Sequence, residues 1–423
     1  MKKNEFIGKV SSLSLSMLII QSTSMGFSVY LSSRLGAEEM GIFHMIMSVY
    51  AFAVTVATSA IPLSATRLVS EEPSTPSRKY ILKRCIYLSL VFSSIAMICL
   101  VSLSGKISFL MFKNASVSLH LKLLGVSLPF FAVSGAIRGY FTGVQKVALI
   151  TASIMAEEFS SLFSVLLLLK LPLFKNSGAL IPVIAELVSS VFSFLCTFGM
   201  YVFSTSKYTA VQKKNLTASI LSISAPVAVG SYIRSSLGAA ENLIIPSALS
   251  SFSGNGIKQY GTVKGMAMPV IMFPYVFLQS FTSLLVPEIS SRNTKSKKSV
   301  SSASLKSIKS TLLFSSAVFL VLLVFGREFG FYLYGNFESG LYITALSLLA
   351  PLMYVDTVTD SLLKGLNEQV YSLKINIADS LLRLPMIYFL LPKTGVWGYI
   401  AVLYISETLN LALSMARLKK TLA

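Results

Sequence analysis

Long apolar runs separated by short polar or basic segments dominate this chain of 423 residues. An α-helix needs about 20 mostly apolar residues to cross the hydrocarbon core of a bilayer. Twelve runs reach that length, so the pattern predicts twelve membrane-spanning helices. Their approximate ranges are 10–33, 41–68, 81–103, 119–141, 147–170, 178–203, 216–245, 260–287, 306–334, 341–363, 370–391 and 396–416.

Composition indicates the same class of protein. Hydrophobic residues make up 54% of the chain, charged residues only 13%, and the mean hydropathy is +0.72. A soluble domain of this length could not bury so much apolar surface in its core, so we predict an all-α integral membrane protein. The apolar run from Leu13 continues too far for a signal peptide and lacks a small-residue cleavage site, so it is assigned as the first span.

The distribution of positive charge predicts the orientation of the helices. With both termini in the cytoplasm, about two thirds of the 36 lysine and arginine residues fall on the cytoplasmic side, as the positive-inside rule requires. The basic segment 292–309 is then a cytoplasmic loop near anionic lipid. This asymmetry accounts for much of the net charge of +19, which is therefore not taken as a sign of nucleic-acid binding.

Familiar catalytic and nucleotide-binding motifs are missing from the sequence. There is no Walker A motif, no GxGxxG and no GxSxG, so neither an ATP-driven pump nor a covalent-catalysis enzyme is supported. The three cysteines lie in or beside apolar runs without a CxxC pair, and His44 and His120 have no metal-ligand pattern beside them. We therefore expect no cofactor and no metal site.

The two halves of the chain resemble each other. VYLSSRLGAEEM (29–40) aligns with SYIRSSLGAAEN (231–242), and FTGVQKVALITASIMAE (141–157) aligns with LKGLNEQVYSLKINIAD (363–379). These pairs predict a parallel repeat of six spans plus six spans, with chance similarity between apolar helices as the alternative. The predicted domains are an N-lobe at 1–203, a cytoplasmic linker at 204–215 and a C-lobe at 216–423.

The eighth span reads YGTVKGMAMPVIMFPYVFLQSFTSLLVPEISSR (260–292) and contains a lysine and three prolines. Pro269 and Pro274 predict a bent helix whose freed carbonyl groups are satisfied by neighbouring helices or by cavity water. Lys264 lies on the more polar face of that helix. A cation in this position is typical of a substrate pathway. Alternatively, Lys264 lies close enough to the helix end to reach the lipid headgroups.

Several carboxylates lie inside predicted spans, where burial is costly and usually indicates function or pairing. The candidates for ion coupling are Glu157, Glu241, Asp356, Asp360 and Asp379. Arg234 and Glu241 share one face of the seventh span, which would allow an internal ion pair.

Two interpretations of the acidic residues remain open. In the first, they pair with cations such as Lys364 and Arg383 and fix the register of the helices. In the second, Asp356 and Asp360 share one site, where mutual repulsion favours binding of a coupling proton or sodium ion.

Three pairs of segments carry a family resemblance. They are YGTVKGMAMPVIMFP with SLLVPEISS, SSRLGAEEMGIF with TSAIPLSATRLVSEE, and IRGYFTGVQK with AEE. They resemble the stage V sporulation protein B and polysaccharide-transport family, which belongs to the MOP superfamily of flippases and multidrug exporters, and the resemblance covers almost the whole chain. It implies two six-helix lobes around a central cavity, alternating access, and a lipid-linked oligosaccharide or peptidoglycan precursor on polyprenyl diphosphate as substrate.

The resemblance also implies a location, partners and site residues. It places the chain in a bacterial plasma membrane, in spore-cortex or cell-wall synthesis, with membrane lipids and cell-wall synthases as partners. Lipid II flippases carry cavity arginines on the first, second and eighth spans, and Lys264 occupies the place of the eighth-span arginine. Arg34, Arg67 and Arg234 are the further candidates for substrate binding. Fourteen-span relatives have two additional helices thought to shape a groove for the lipid tail, and this sequence ends after the twelfth.

A flippase cycle follows from this chemistry. A diphosphate is held best by cations in a partly dehydrated cavity, so the cycle consists of inward-open capture at Lys264, rocking of the lobes and outward release. The membrane potential could bias it, since moving one charge is worth about 2.3 kcal/mol per 100 mV. The alternatives are a MATE-type multidrug or cation antiporter, whose cavity should be acidic and aromatic, and a non-transporting scaffold for cell-wall synthases.

Overall fold

The structure is a computed structural model that describes residues 3–72, 74–174, 177–204, 216–293 and 297–422. Within these ranges it is almost entirely helical and has no β-strand. The α-helices are α1 (Lys3–Thr58), α2 (Ile61–Glu71), α3 (Thr75–Ile107), α4 (Val117–Gly143), α5 (Val147–Lys170), α6 (Leu180–Ser204), α7 (Leu216–Ser253), α8 (Gly256–Gly261), α9 (Met268–Met272), α10 (Tyr275–Asn293), α11 (Lys297–Tyr334), α12 (Phe337–Leu346), α13 (Leu349–Gly365) and α14 (Gln369–Leu422). Two π-helices, Ser108–Phe112 and Thr262–Ala267, and a short 3-10 helix, Pro172–Phe174, complete the helical structure.

The predicted all-α membrane fold is confirmed. Eight helices of the described ranges are long and apolar enough to cross a membrane, or nine if α12 and α13, bent by 50°, count as one span. Two of the eight, Leu18–Glu71 and Gln369–Leu422, are 54 residues long, and each covers two predicted spans. The spans are separated at Gly36 (φ 81°) and Gly395 (φ 62°), where a left-handed backbone favours glycine.

The chain divides into two compact units that differ in their bounds from the predicted lobes. Unit 1 comprises Met1–Leu13 and Met45–Ala239, and unit 2 comprises Ser14–His44 and Ala240–Ala423. The boundaries of the predicted lobes stay a prediction. The predicted linker at 204–215, apart from Ser204, lies outside the described residues.

The core of unit 1 joins four helices. Buried apolar side chains of α2, α3, α4 and α7 form one cluster, and Ser64 on α2 donates a hydrogen bond to the Ile220 carbonyl of α7 at 3.0 Å. In unit 2 the largest fully buried side chains include three tyrosines, Tyr260, Tyr354 and Tyr399. A buried tyrosine hydroxyl needs a partner. Tyr260 OH donates to Asn242 Oδ1 at 2.9 Å, and Tyr354 OH donates to the Ile271 carbonyl at 2.6 Å.

The helices α4 and α13, which carry the second repeated pair, end in the same way. Gln145 (φ 59°) and Asn367 (φ 67°) each lie two residues after the aligned glycines, and both are left-handed. The backbone N–H of the residue after each of them donates to the carbonyl five residues earlier at 2.9 Å, from Lys146 to Phe141 and from Glu368 to Leu363. This hydrogen bond and the left-handed residue define a Schellman helix end, so the local structure supports the predicted repeat.

The aligned glycines also make equivalent close contacts. A Cβ atom on Gly143 would lie 2.8 Å from the Thr66 carbonyl oxygen of α2, and one on Gly365 would lie 2.9 Å from Ile289 Cβ of α10. Each glycine therefore allows the end of its helix to pack directly against a neighbouring helix within its own unit.

The eighth span is interrupted at its prolines, as the sequence predicts, and the interruption extends to residues before Pro269. The segment is divided into α8, the π-helix Thr262–Ala267, α9 and α10. Pro269 and Pro274 lack the N–H groups that would bond to earlier carbonyls. Ser32 Oγ donates instead to the Gly265 carbonyl, four residues before Pro269, at 2.6 Å. Tyr334 OH and Tyr354 OH donate to two further carbonyls of the segment, those of Met266 at 2.9 Å and Ile271 at 2.6 Å.

Glycines hold this broken segment against α1. A Cβ atom on Gly261 would collide with the Ala37 carbonyl oxygen, and one on Gly265 would lie 2.9 Å from Met40 Cβ. The two backbones therefore touch directly, on either side of Lys264.

Gly261→Ala is therefore expected to destabilise the protein, although alanine is the better helix former. Overpacking of this kind costs about 1–3 kcal/mol, which a thermal unfolding curve in detergent would show as a lower Tm. Gly105→Ala on α3 is the matched control, because a Cβ atom there meets nothing within 4 Å. It should be neutral or stabilising by up to about 1 kcal/mol. Equal Tm values for the two variants would contradict the close contact.

Candidate substrate and ion site

Lys264 lies within unit 2 in polar surroundings. Its side chain is half-buried, and its charge interacts with those of Glu241 and Arg383. Among the described residues no carboxylate oxygen pairs with its amine within 4.0 Å. His44 lies beside it, because a Cβ atom on Gly265 would be 3.5 Å from His44 Nε2. Lys264 is therefore partly enclosed within unit 2, and both interpretations of its role stay predictions.

Arg383 is the centre of an ion-pair network in unit 2. Its Nη1 lies 3.1 Å from Glu241 Oε1, and its Nε lies 3.3 Å from Asp379 Oδ2. Asp379 also accepts a hydrogen bond from Ser406 Oγ at 2.5 Å. Glu241 and Asp379 are only 8% and 7% exposed. One guanidinium thus compensates two buried carboxylates, and Arg383 is the partner of Glu241, where the sequence had suggested Arg234.

Asp356 and Asp360 lie on α13 and have different surroundings. Lys364 Nζ lies 2.6 Å from Asp360 Oδ2, and Ser372 donates a hydrogen bond to Asp360 Oδ1. Asp356 Oδ2 accepts a hydrogen bond from Asn410 Nδ2 at 3.4 Å, whereas its buried Oδ1 has no partner among the described residues. Asp360 therefore fits the pairing interpretation, and Asp356 retains an open oxygen.

These groups form one electrostatic cluster, which we call the unit 2 cluster. Its members are Lys264, Arg383 and Lys364 and the carboxylates of Glu241, Asp356, Asp360, Asp379 and Glu407. The charges of Asp356, Asp379 and Arg383 all act on Glu407, and those of Lys264 and Asp379 act on Glu241. With five carboxylates against three cations, the cluster is acidic when fully ionised.

The remaining predicted site residues are not members of this cluster. In unit 1, Glu157 pairs with Arg138 Nη1 at 2.6 Å and accepts a hydrogen bond from Ser193 Oγ at 2.9 Å. Arg67 is 63% exposed and pairs with Glu71 four residues later. Arg34 is exposed and its guanidinium lies 5.5 Å from the centre of the Tyr30 ring. Arg67 and Arg34 therefore occupy surface positions.

Arg234 lines a cavity of about 470 Å³ within unit 1. The cavity is lined by Val54, Thr55, Thr58, Ala60, Phe131, Ser231, Arg234 and Ser235. The lining of this cavity thus combines hydroxyl groups and one guanidinium with apolar side chains.

Sequence reasoning missed three residues that adjoin the unit 2 cluster, and it left one member of the cluster, Glu407, out of the candidate site. His44, Ser406 and Asn410 carried no signal, because their role depends on which helices pack together. Glu407 did carry a signal, since it is an acid inside an apolar run. No group of three or more His, Cys, Asp or Glu side chains in the part of the chain that the structure describes is arranged to hold a metal ion.

Two solved structures that are similar to this chain are described as transporters of the MOP superfamily. The inward-facing conformation of a multidrug resistance MATE family transporter of the MOP superfamily has a TM-score of 0.73, with 96% of this chain and 98% of that chain covered at 14% identity. A MOP superfamily transporter from Pyrococcus furiosus Vc1 has a TM-score of 0.67, with 98% and 96% covered at 16% identity. At these identities the likeness establishes the fold, that of a multi-pass membrane transporter.

The chain belongs to the polysaccharide biosynthesis protein family, which it matches over residues 6–293. It is 23% identical to Stage V sporulation protein B of Bacillus subtilis (strain 168) over 418 residues, covering 93% of this chain and 80% of that protein. The predicted family resemblance is therefore confirmed. Family and fold together support a membrane flippase.

Proposed function

We propose that the protein is a flippase, not an enzyme, which moves a polyprenyl-diphosphate sugar across the membrane by alternating access. The observation that carries this proposal is Lys264, a half-buried lysine without a carboxylate partner within 4.0 Å among the described residues, on the broken helix of a polysaccharide biosynthesis protein. Charge-assisted hydrogen bonds to a diphosphate are strong where water is partly excluded. The lysine amine thus offers an anion-binding group where the helix is interrupted.

An apolar cavity in unit 2 suits an amphiphilic substrate. It measures about 700 Å³ and is lined by apolar side chains that include Val29, Val270, Pro274, Phe314 and Leu322. The segment that carries Lys264 contributes Val270 and Pro274 to its wall. A polyprenyl chain needs apolar surroundings near the site that binds its diphosphate, and the apolar lining of this cavity would provide them.

We further propose a bacterial plasma-membrane location with both termini in the cytoplasm and a role in spore-cortex or cell-wall synthesis. The charge bias along the chain supports the orientation, and the similarity to a sporulation protein supports the role. Substrate lipid, bulk membrane lipids and cell-wall synthases are the proposed partners.

Ion coupling is proposed at the unit 2 cluster, with Asp356 as the coupling residue. Its buried Oδ1 has no hydrogen-bond partner among the described residues, and burial of a carboxylate with incomplete hydrogen bonding is costly. A bound proton or cation would remove that cost. Glu157, Asp360, Asp379 and Glu241 have partners and are better suited to hold the helices in place.

Asp356→Asn is expected to weaken the dependence of transport on pH and sodium, because the amide can bind neither a proton nor a cation as the carboxylate does. Asp360→Asn should change that dependence less, since Lys364 already compensates Asp360. Transport into proteoliposomes across a series of pH values and sodium concentrations measures both effects. If both variants respond like the wild type at every condition, ion coupling at this pair is wrong.

The acidic excess of the unit 2 cluster favours a second candidate, a multidrug or cation antiporter with the same fold. Binding discriminates between the two. Native mass spectrometry of the purified protein in detergent would compare undecaprenyl diphosphate carrying a disaccharide-peptide, undecaprenyl alcohol and the cation rhodamine 6G. Preference for the diphosphate lipid supports the flippase, whereas binding no better than the alcohol together with tight cation binding would favour the antiporter.

A further inference from the structure

We propose that the cavity around Arg234 in unit 1, the Arg234 pocket, binds an acidic sugar, with the guanidinium on its carboxylate or phosphate and the surrounding hydroxyl groups on its ring. The inference rests on the proposed function, because it specifies which part of a lipid-linked saccharide unit 1 would recognise. It adds a sugar site that is separate from the anion-binding role of Lys264.

The size and lining of the Arg234 pocket fit a single sugar. Its volume of about 470 Å³ lies within the range of small-molecule sites, roughly 300–1,000 Å³, in which a few polar groups on an apolar wall fix the orientation of the ligand. Helices α1, α4 and α7 contribute Thr55 and Thr58, Phe131, and Ser231, Arg234 and Ser235 respectively. Hydroxyl side chains match sugar hydroxyls, because both can donate and accept hydrogen bonds.

Two of these hydroxyl groups retain hydrogen-bonding capacity for a ligand. Ser235 Oγ accepts from Thr55 Oγ1 at 3.2 Å, and its own hydrogen has no acceptor among the described residues. Ser231 has no side-chain hydrogen bond in the same part of the chain. Thr55 also bonds the Ala51 carbonyl at 2.8 Å. Since one hydroxyl hydrogen cannot serve both acceptors fully, Thr55 can redirect its bond when a ligand enters.

Arg234 supplies the uncompensated positive charge of this pocket. Its side chain is exposed, and no carboxylate oxygen pairs with it within 4.0 Å in the described ranges. The neighbouring arginine, Arg138, lies 5.7 Å from the centre of the Phe131 ring but is neutralised by Glu157 at 2.6 Å. A planar guanidinium binds carboxylates and phosphates through paired hydrogen bonds. The charge pattern therefore selects a sugar with an anionic group over a neutral one.

A strained break in the helical backbone shapes the same pocket. Ser59 (φ 45°) and Ala60 (φ 55°) are consecutive left-handed residues, and neither is glycine. Tyr232 on α7 holds the break through a hydrogen bond between its OH and Ser59 Oγ at 2.6 Å. Such strain persists where the surrounding structure enforces it, commonly at ligand sites. Here it places Thr58 and Ala60 on the pocket wall.

Saturation-transfer NMR on the full-length protein in detergent tests the proposal with glucuronate, glucose 1-phosphate and glucose as probes. We expect at least one of the two acids to bind about tenfold more tightly than glucose. Arg234→Gln should remove that advantage, and Ser235→Ala should weaken binding of the acid and of glucose alike. The matched controls are Arg84→Gln, outside the pocket in unit 1, and Ser236→Ala, the exposed neighbour of Ser235. Both controls should bind like the wild type.

The outcomes identify which anionic group of the sugar the Arg234 pocket binds. Binding of glucuronate alone assigns a carboxylate, binding of glucose 1-phosphate alone assigns a phosphate, and binding of both assigns a general anionic sugar site. The proposal is overturned if neither acid binds better than glucose, or if Arg84→Gln weakens binding as much as Arg234→Gln. If Arg234→Gln fails to fold, the comparison of Ser235→Ala with Ser236→Ala decides. If the sugar-site proposal is overturned but the wild-type protein still binds the undecaprenyl diphosphate lipid, the flippase proposal stays intact and only the sugar site is removed.

Discussion

Arg383→Met is expected to lower the free energy of unfolding by about 3–5 kcal/mol, because it leaves two buried carboxylates without their cation. Glu241 and Asp379 both pair with Arg383, at 3.1 Å and 3.3 Å. Methionine keeps much of the side-chain volume, so the loss reports charge compensation more than packing. Denaturant or thermal unfolding of the purified protein measures the change.

Two further variants make the result specific. Arg292→Met removes an exposed pair with Glu288, and such pairs contribute only about 0–1 kcal/mol. Adding Glu241→Gln and Asp379→Asn to Arg383→Met removes the uncompensated charges and should recover a large part of the lost stability. If Arg383→Met costs no more than Arg292→Met, the network does not stabilise unit 2 as argued.

Lys264→Gln is expected to weaken binding of a polyprenyl-diphosphate sugar by about ten- to a hundredfold, the range that corresponds to losing a hydrogen bond to a charged group. Lys264→Arg keeps the charge and should retain most of the affinity. Binding of undecaprenyl alcohol should be the same in all variants, because the alcohol carries no diphosphate. Native mass spectrometry or a lipid titration in detergent gives the affinities.

Lys258→Gln is the matched control for Lys264→Gln. Lys258 is an exposed lysine on α8, in the same broken segment, so its loss should leave diphosphate-lipid affinity unchanged. Equal effects of the two substitutions would mean that general positive charge, rather than the position of Lys264, attracts the lipid. Wild-type affinity in Lys264→Gln would remove Lys264 from the site.

Most of the fold was predictable because long apolar runs have one stable arrangement in a bilayer. The backbone must satisfy its own hydrogen bonds there, so each run becomes a helix. The bend in the eighth span followed from Pro269 and Pro274. The π-helix at Thr262–Ala267 did not, since it depends on donors such as Ser32 and Tyr334 in distant helices.

Individual residues of the site were predictable from the sequence, but the contacts between them were not. Embedded charges such as Lys264, Glu241 and Asp379 are conspicuous in apolar runs, but their partners are set by packing. Glu241 was paired in the sequence with Arg234 on its own helix face, whereas its partner Arg383 lies 142 positions away. Helical periodicity describes one helix at a time, so it cannot supply contacts of this kind.

Aligned residues of the repeat also differ in ways that sequence similarity did not indicate. Gly36 breaks the helix with φ 81°, whereas its counterpart Gly238 lies inside the continuous helix α7. In the second pair, by contrast, Gly143 and Gly365 make equivalent contacts at equivalent helix ends. The aligned glycines therefore share a local structure in one pair and differ in the other, because glycine is compatible with both conformations.

Flipping of a fluorescent undecaprenyl-diphosphate disaccharide in proteoliposomes tests the central claim most directly. A membrane-impermeant quencher added outside would report how fast the labelled headgroup crosses. With wild-type protein we expect the fluorescence of lipid in the inner leaflet, which the quencher cannot reach, to be lost rapidly. With Lys264→Gln we expect a rate near that of protein-free liposomes. A wild-type rate no higher than that of protein-free liposomes, in a preparation that exchanges rhodamine 6G, would contradict the flippase and support a cation antiporter.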